Sequence, residues 1–195
     1  MKIKLTFYGP YKLYGKKEEL LFDSDISKDY GIYLWTVKYK NGYLVDYIGE
    51  TGRTFWQRMK EHLIETFGGN YRICDPELLS KGKEKIIWNG LWRKETRNKI
   101  IEFIDKVEFL VPLIKEYINL HYVFLGPLNV DRNIRKSIEY HIAKEIINSP
   151  KPFNNLLPID IRFTKPKNIP NEKIIVEIKS SETIHGLKER LIING

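Results

Sequence analysis

Polar and apolar positions alternate from Lys2 to Tyr8 and meet Gly9-Pro10, which predicts an edge strand or hairpin closed by a turn. The run from Gly31 to Tyr39 is β-branched and aromatic, Asn41-Gly42 is a turn dipeptide, and Tyr43 to Gly49 is strand-like again. A β-hairpin is expected there. Gly52-Arg53-Thr54 then starts a helix with Thr54 as N-cap; helical spacing continues to Phe67 and stops at Gly68-Gly69. Asn70 to Tyr117 mixes Pro76, Gly82 and Gly90 with helical patches at Glu77 to Leu79 and Lys94 to Lys106, and reads as mostly helical. Ile118 to Leu125 predicts a third strand, ended by Gly126-Pro127. Asp131 caps a helix in which Ile134, Ile138, Ile142 and Ile146 recur at four-residue spacing, ending before Pro150 and Pro152. Past Phe153-Asn154-Asn155, Pro158, Pro166 and Pro170 suggest a wrapping segment, followed by a strand from Ile174 to Ile178 and a short terminal helix near Leu187.

Composition narrows the partner. The chain of 195 residues suits one domain, 1–195, and 33 Lys+Arg against 25 Asp+Glu leave 33 − 25 = +8, which favours an anionic partner. With 42% hydrophobic and 30% charged residues it can close a core, so a disordered role is excluded. Cys74 is the only cysteine, which rules out a disulfide framework or a multi-cysteine zinc site within one chain and points to a reducing compartment. No window approaches the ~20 apolar residues of a spanning helix, and the start lacks the apolar run of a signal peptide, so a cytoplasmic location is expected. Between Lys81 and Lys99, basic residues including Lys83, Lys85, Arg93 and Lys94 alternate with Trp88 and Trp92. That pattern suits a phosphate backbone, and equally a solvated helix face with two core tryptophans.

Helix angles single out a few polar side chains. At about 100° per residue, Glu139 lies roughly 60° from Ile142, 40° from Ala143 and 20° from Ile146, so its carboxylate points toward the apolar side. A buried carboxylate requires a cation, either a divalent metal or a basic side chain such as Arg135 one turn earlier. In the earlier helix, Arg58 and His62 share a face while Trp56, Leu63 and Phe67 cluster on roughly the opposite side, which is expected to hold the core. Arg58 would then be free to grip a phosphate. Tyr33 and Tyr47 each stand beside a glycine in the hairpin, and a phenol serves as a base only where cationic neighbours lower its pKa.

The order Gly31-Ile32-Tyr33, Tyr47-Ile48-Gly49, Thr51-Gly52-Arg53, Arg58-Met59-Lys60-Glu61-His62, Glu139 and Phe153-Asn154 resembles the GIY-YIG nuclease family. The resemblance spans 31–155, with 68–117 as an insertion and with 1–30 and 156–195 as uncovered extensions. It implies an α+β fold built on a small antiparallel three-stranded sheet flanked by helices. It further implies hydrolysis of phosphodiester bonds in double-stranded DNA assisted by one divalent cation, magnesium or manganese, bound by Glu139. Arg58 would hold the scissile phosphate, Tyr33 would help take the proton from the attacking water, Tyr47 would orient water or phosphate, His62 would partner the catalytic tyrosine, and Asn154 would brace the site. Arg53 could meet a second phosphate at the helix mouth. Glu50 stands where some repair members carry a lysine, and one cysteine cannot supply a zinc-finger partner domain. The likeness is therefore to free-standing, restriction- or homing-like endonucleases. A non-catalytic nucleic-acid-binding adaptor is the competing reading. A palindromic target would ask for a homodimer, although no coiled-coil heptad announces one.

Overall fold

The computed structural model describes residues 1–15, 19–93, 97–157 and 173–194. In chain order its elements are β1 (Lys2–Tyr11), β2 (Gly31–Tyr39), β3 (Gly42–Thr51), α1 (Phe55–Phe67), β4 (Ile73–Cys74), α2 (Pro76–Ser80) and β5 (Ile86–Trp88). They continue with α3 (Arg97–Asp105), α4 (Val107–Leu120), β6 (His121–Pro127), α5 (Arg132–Ile147), β7 (Ile174–Ser180) and β8 (Arg190–Ile193).

The expected small three-stranded sheet is corrected to a six-stranded mixed sheet in the order β3-β2-β6-β1-β7-β8, with β4 and β5 as a separate two-stranded ribbon. The antiparallel trio β3-β2-β6 exists within it, but β6 also pairs with β1, and β1 runs parallel to β7. The physical reason is edge protection together with burial. Leu5 and Phe7 of β1 and Val176 of β7 have no exposed surface, so these strands cover the side of β6 that a three-stranded sheet would leave open. The stretches treated as extensions therefore supply half of the main sheet. Two smaller expectations also change. β1 passes through Gly9-Pro10 to Tyr11 with a register irregularity between Tyr8 and Tyr11, and the residues around Leu187 form turns leading into β8 instead of a helix.

Alternate residues of β2 face opposite layers. Ile32 and Leu34 pack under α5 with Ile138, Ile142 and Ile146, whereas Tyr33, Trp35 and Val37 pack under α1 and α4 with Phe55, Met59 and Ile114. Being covered on both faces, β2 reads as a continuous apolar run. In α1 the expected core face is wrong: Phe55, Met59, His62 and Thr66 are buried, while Trp56 and Phe67 are 40% and 42% exposed. The buried stripe includes His62 and Thr66 because both are satisfied. Thr66 Oγ1 donates to the His62 carbonyl at 2.6 Å, and the His62 ring meets a tyrosine. No helix among the described residues is long and apolar enough to cross a membrane.

Candidate active site

Hairpin register brings the two phenols together. Tyr33 stands opposite Gly49 and Trp35 opposite Tyr47, so Tyr33 and Tyr47 are diagonal neighbours on one face, with ring centroids 6.1 Å apart. Gly49 has a steric role here, since a Cβ at that position would overlap the Tyr33 hydroxyl. Above the hairpin, Thr54 caps α1 by accepting from the Gln57 amide, and the helix presents Arg58 and His62 one turn apart. Arg58 Nε donates to the Tyr33 hydroxyl at 3.0 Å, and that hydroxyl lies 2.9 Å from His62 Nε2.

The electrostatics assign the protons. Burial first, and the Arg58 charge second, pull His62 down to about 3, so its ring is neutral near pH 7 and its Nε2 can accept from Tyr33. Burial raises Tyr33 well above an ordinary phenol, the neighbouring Tyr47 adds to this, and Arg58 opposes it. With 0% of its surface exposed, Tyr33 is a phenol behind the site wall rather than a group that water reaches directly. Tyr47 is only partly buried. Burial and then the nearby Glu139 charge raise it, against Arg58 and a hydrogen bond with Tyr33. Burial alone would lower Arg58, but Tyr33, Tyr47 and Tyr71 around it outweigh that and hold it cationic.

Glu139 reaches the same place from the other layer. β3 is the outermost strand on its side of the sheet, and the Glu50 backbone N–H there donates to the Glu139 carboxylate. Arg135, the expected structural partner, turns away: its Nε meets Glu50 at 3.2 Å and its Nη1 donates to the Val130 carbonyl at 2.6 Å. Glu139 is left with no ion-pair partner among the described residues. Burial and then the Glu50 charge push it up to about 7, against the Glu50 N–H, Lys136 and Arg58. Among the described residues no cluster of three or more His, Cys, Asp or Glu could hold a metal ion. The lone unpaired carboxylate does fit a hard cation such as Mg²⁺ that keeps most of its water, and it would not suit an all-protein cage.

Tyr33, Tyr47, Arg58, His62 and Glu139 are thus brought together. Asn154 makes none of these contacts; its amide donates to the Ile147 carbonyl at 3.1 Å and braces the C-terminal end of α5. Arg53 Nη2 donates to Glu61 at 2.7 Å, and Glu61 also meets Arg58 Nη1 at 3.1 Å. Lys83 and Lys85 are exposed, Lys85 standing 4.0 Å from Asp75, while Lys94 and the Arg93 side chain lie outside the described residues.

Sequence reasoning missed Glu61 and Tyr71, whose hydroxyl bonds Arg58 and whose ring lies 5.4 Å from His62. It also missed a buried group behind Tyr47. Asp46 is the extra residue of a bulge in β3, and it receives Arg72 Nη2 at 2.9 Å, the Tyr117 hydroxyl at 2.8 Å and His121 Nε2 at 3.0 Å. Burial, the largest influence, pushes the Asp46 carboxyl up, but the His121 hydrogen bond and the Arg72 charge outweigh it and hold it below its ordinary value. This group ties the insertion to the sheet. An aspartate placed among strand residues was its only signal in the sequence.

The chain matches no protein-family model, no curated protein and no solved structure. The family resemblance accordingly rests on the motif residues and their order in the sequence.

Proposed function

We propose that the protein is a metal-dependent endonuclease that hydrolyses phosphodiester bonds in double-stranded DNA. The observation that carries this reading is the meeting of Tyr33 and Tyr47 from the hairpin, Arg58 and His62 from α1 and Glu139 from α5 around one partly open site. A phosphodiester repels an attacking hydroxide, so cleavage requires positive charge at the phosphate and a route for the water's proton. Arg58 supplies the first. Tyr47, the phenol nearer to solvent, takes the proton from water as it passes its own to the Tyr33 oxygen, while the Tyr33 proton moves to His62 Nε2. Each oxygen gains one proton as it gives one away, and the net charge ends on the imidazole. Phosphate binding at Arg58 neutralises one of the two influences that hold His62 at about 3, which makes the ring a better acceptor when substrate is present.

Glu139 would hold a magnesium or manganese ion, which when bound neutralises and polarises the phosphate. Glu61 holds Arg58 in place, and the basic surface with Lys83 and Lys85 meets more distant phosphates. The single cysteine, buried and pushed up to about 12 by that burial, is consistent with a cytoplasmic protein.

The test is incubation of the purified chain with supercoiled plasmid, with and without Mg²⁺ or Mn²⁺. Nicking or cutting that EDTA stops, and that Glu139→Gln and Arg58→Ala remove while circular dichroism shows both folded, is the expected result. Folded wild-type protein that binds the plasmid but never cuts it would establish the adaptor reading instead.

A further inference from the structure

Tyr47, His62 and Tyr71 form part of the wall of a half-open cavity of about 190 Å³, whose lining includes neither Arg58 nor Glu139. Its aromatic walls are Trp35, Tyr47, Tyr71, Trp92 and Tyr117. We propose that this cavity takes an extrahelical nucleobase of the bound nucleic acid, swung out of its stack beside the phosphate held at Arg58. The inference rests on the nuclease reading for the phosphate and on the cavity's own chemistry for the base.

Three features select a base over other ligands. Flat aromatic faces accept any base by stacking, and exposed Trp92, with 72% of its surface in solvent, is placed to close over one. Polar groups beside these rings are uncommitted. The exposed Asn89 amide has no partner among the described residues, the Asn70 carbonyl oxygen is open while its NH₂ is held by Glu65, and His62 Nδ1 has no partner there either. Paired donors and acceptors of this kind match the mixed edge of a nucleobase. Trp35 adds a buried indole N–H with no partner among the described residues. The third feature is charge. Arg72, the one cation among the described lining residues, is already engaged by Asp46 at 2.9 Å and by Glu84, so these residues offer no free positive charge to a phosphate. Its location fits as well, because only one layer of rings, with centroids 5.5 Å apart from Tyr47 to His62 and 5.4 Å from His62 to Tyr71, separates it from the Arg58 contact.

Labelled duplexes that are fully paired, that carry one mismatch, or that carry an abasic site at the same position are titrated with the full chain in EDTA, so that no cleavage intervenes. Unpairing a mismatched base costs less, so the mismatched duplex is expected to bind about tenfold more tightly than the paired one. The abasic duplex should lose that advantage, and Trp92→Ala should bring the ratio of mismatched to paired affinity close to one. Equal binding of abasic and mismatched duplexes would show that flexibility alone is sensed and would overturn the proposal. So would an unchanged ratio in Trp92→Ala, or no mismatch preference in the wild type. Plasmid cleavage with Mg²⁺, assayed separately, distinguishes this failure from failure of the nuclease reading: mismatch capture without cutting sinks the latter alone, and cutting without mismatch capture sinks the former alone.

Discussion

Replacing Asp46 by alanine removes the one carboxylate, among the described residues, to which insertion and sheet are both hydrogen-bonded. Arg72 keeps the Leu156 carbonyl at 2.9 Å and its bond to Glu84, and His121 keeps the Tyr117 carbonyl at 2.6 Å, so neither side chain is wholly abandoned. The Tyr117 hydroxyl and His121 Nε2 lose their partner in a dry interior, each at a cost of roughly 1–3 kcal/mol, and breaking a buried ion pair typically costs 3–5 kcal/mol. Because Arg72 retains contacts, the low ends apply, about 5 kcal/mol in total, which corresponds to a fall in Tm of roughly 10–20 °C for a chain of this size. The pH dependence has a definite sign. The folded-state pKa of Asp46 lies below its ordinary 3.8, so its stabilisation is fully present above that value and is lost as pH falls through the folded value. Thermal unfolding followed by circular dichroism at neutral pH should show the full difference, and on acidification below about pH 4 the wild type should lose stability faster than Asp46→Ala. A variant within about 1 kcal/mol of wild type at neutral pH would refute the idea that this carboxylate fastens the insertion to the core.

Cleavage should rise with pH through about 7, because Glu139 must ionise to hold a cation, and added Mg²⁺ should move that midpoint downward by favouring the ionised form; a rate that is flat from about pH 5 to 9 would contradict the assignment. Tyr47→Phe and Tyr33→Phe should each lower the single-turnover rate by about 10²–10⁴ with DNA affinity retained, and the double variant should lose no more than the worse single one, since both hydroxyls serve one relay. Full activity in Tyr47→Phe would remove Tyr47 from the proton route. Replacing Lys83, Lys85, Arg93 and Lys94 with alanine should reduce the slope of log affinity against log salt by up to about 3.6, which is about 0.9 for each phosphate that these side chains neutralise. An unchanged slope in a binding titration would make this stretch a solvated face.

The hairpin, α1, β6 and α5 were legible because each carries a local signal: a turn dipeptide, an N-cap, or apolar residues at a single period. The sheet as a whole was not. Strand pairing joins residues far apart in the chain, so Lys2–Phe7 beside Ile175–Ser180 leaves no mark in either segment except alternation. The inverted face of α1 has a similar cause. Bulk favoured Trp56 and Phe67 as core, yet the contact with Tyr33 made across the fold settles His62 inside, a partner that no window of the helix contains, while Thr66 is satisfied locally by the His62 carbonyl.

For the site, spacing identified Arg58 and His62 as helical neighbours and placed Glu139 on the inward side of its helix. What spacing could not reveal is which phenol faces solvent, because that depends on how β3 is displaced by the bulge at Asp46. One extra residue there turns the Asp46 side chain inward toward Arg72 and His121, both contributed by segments after α1, and leaves Tyr47 on the same face as Tyr33. The bulge therefore performs two tasks. It anchors the insertion that carries Arg72 and Trp92, and it sets the phenol that divides the catalytic cleft from the aromatic cavity. If Asp46 were paired regularly with Trp35, with no bulge, the residues after it would shift by one position and Tyr47 would turn to the α5 layer, away from Arg58. Attachment of the insertion and assembly of the site are in this way consequences of one local irregularity in β3.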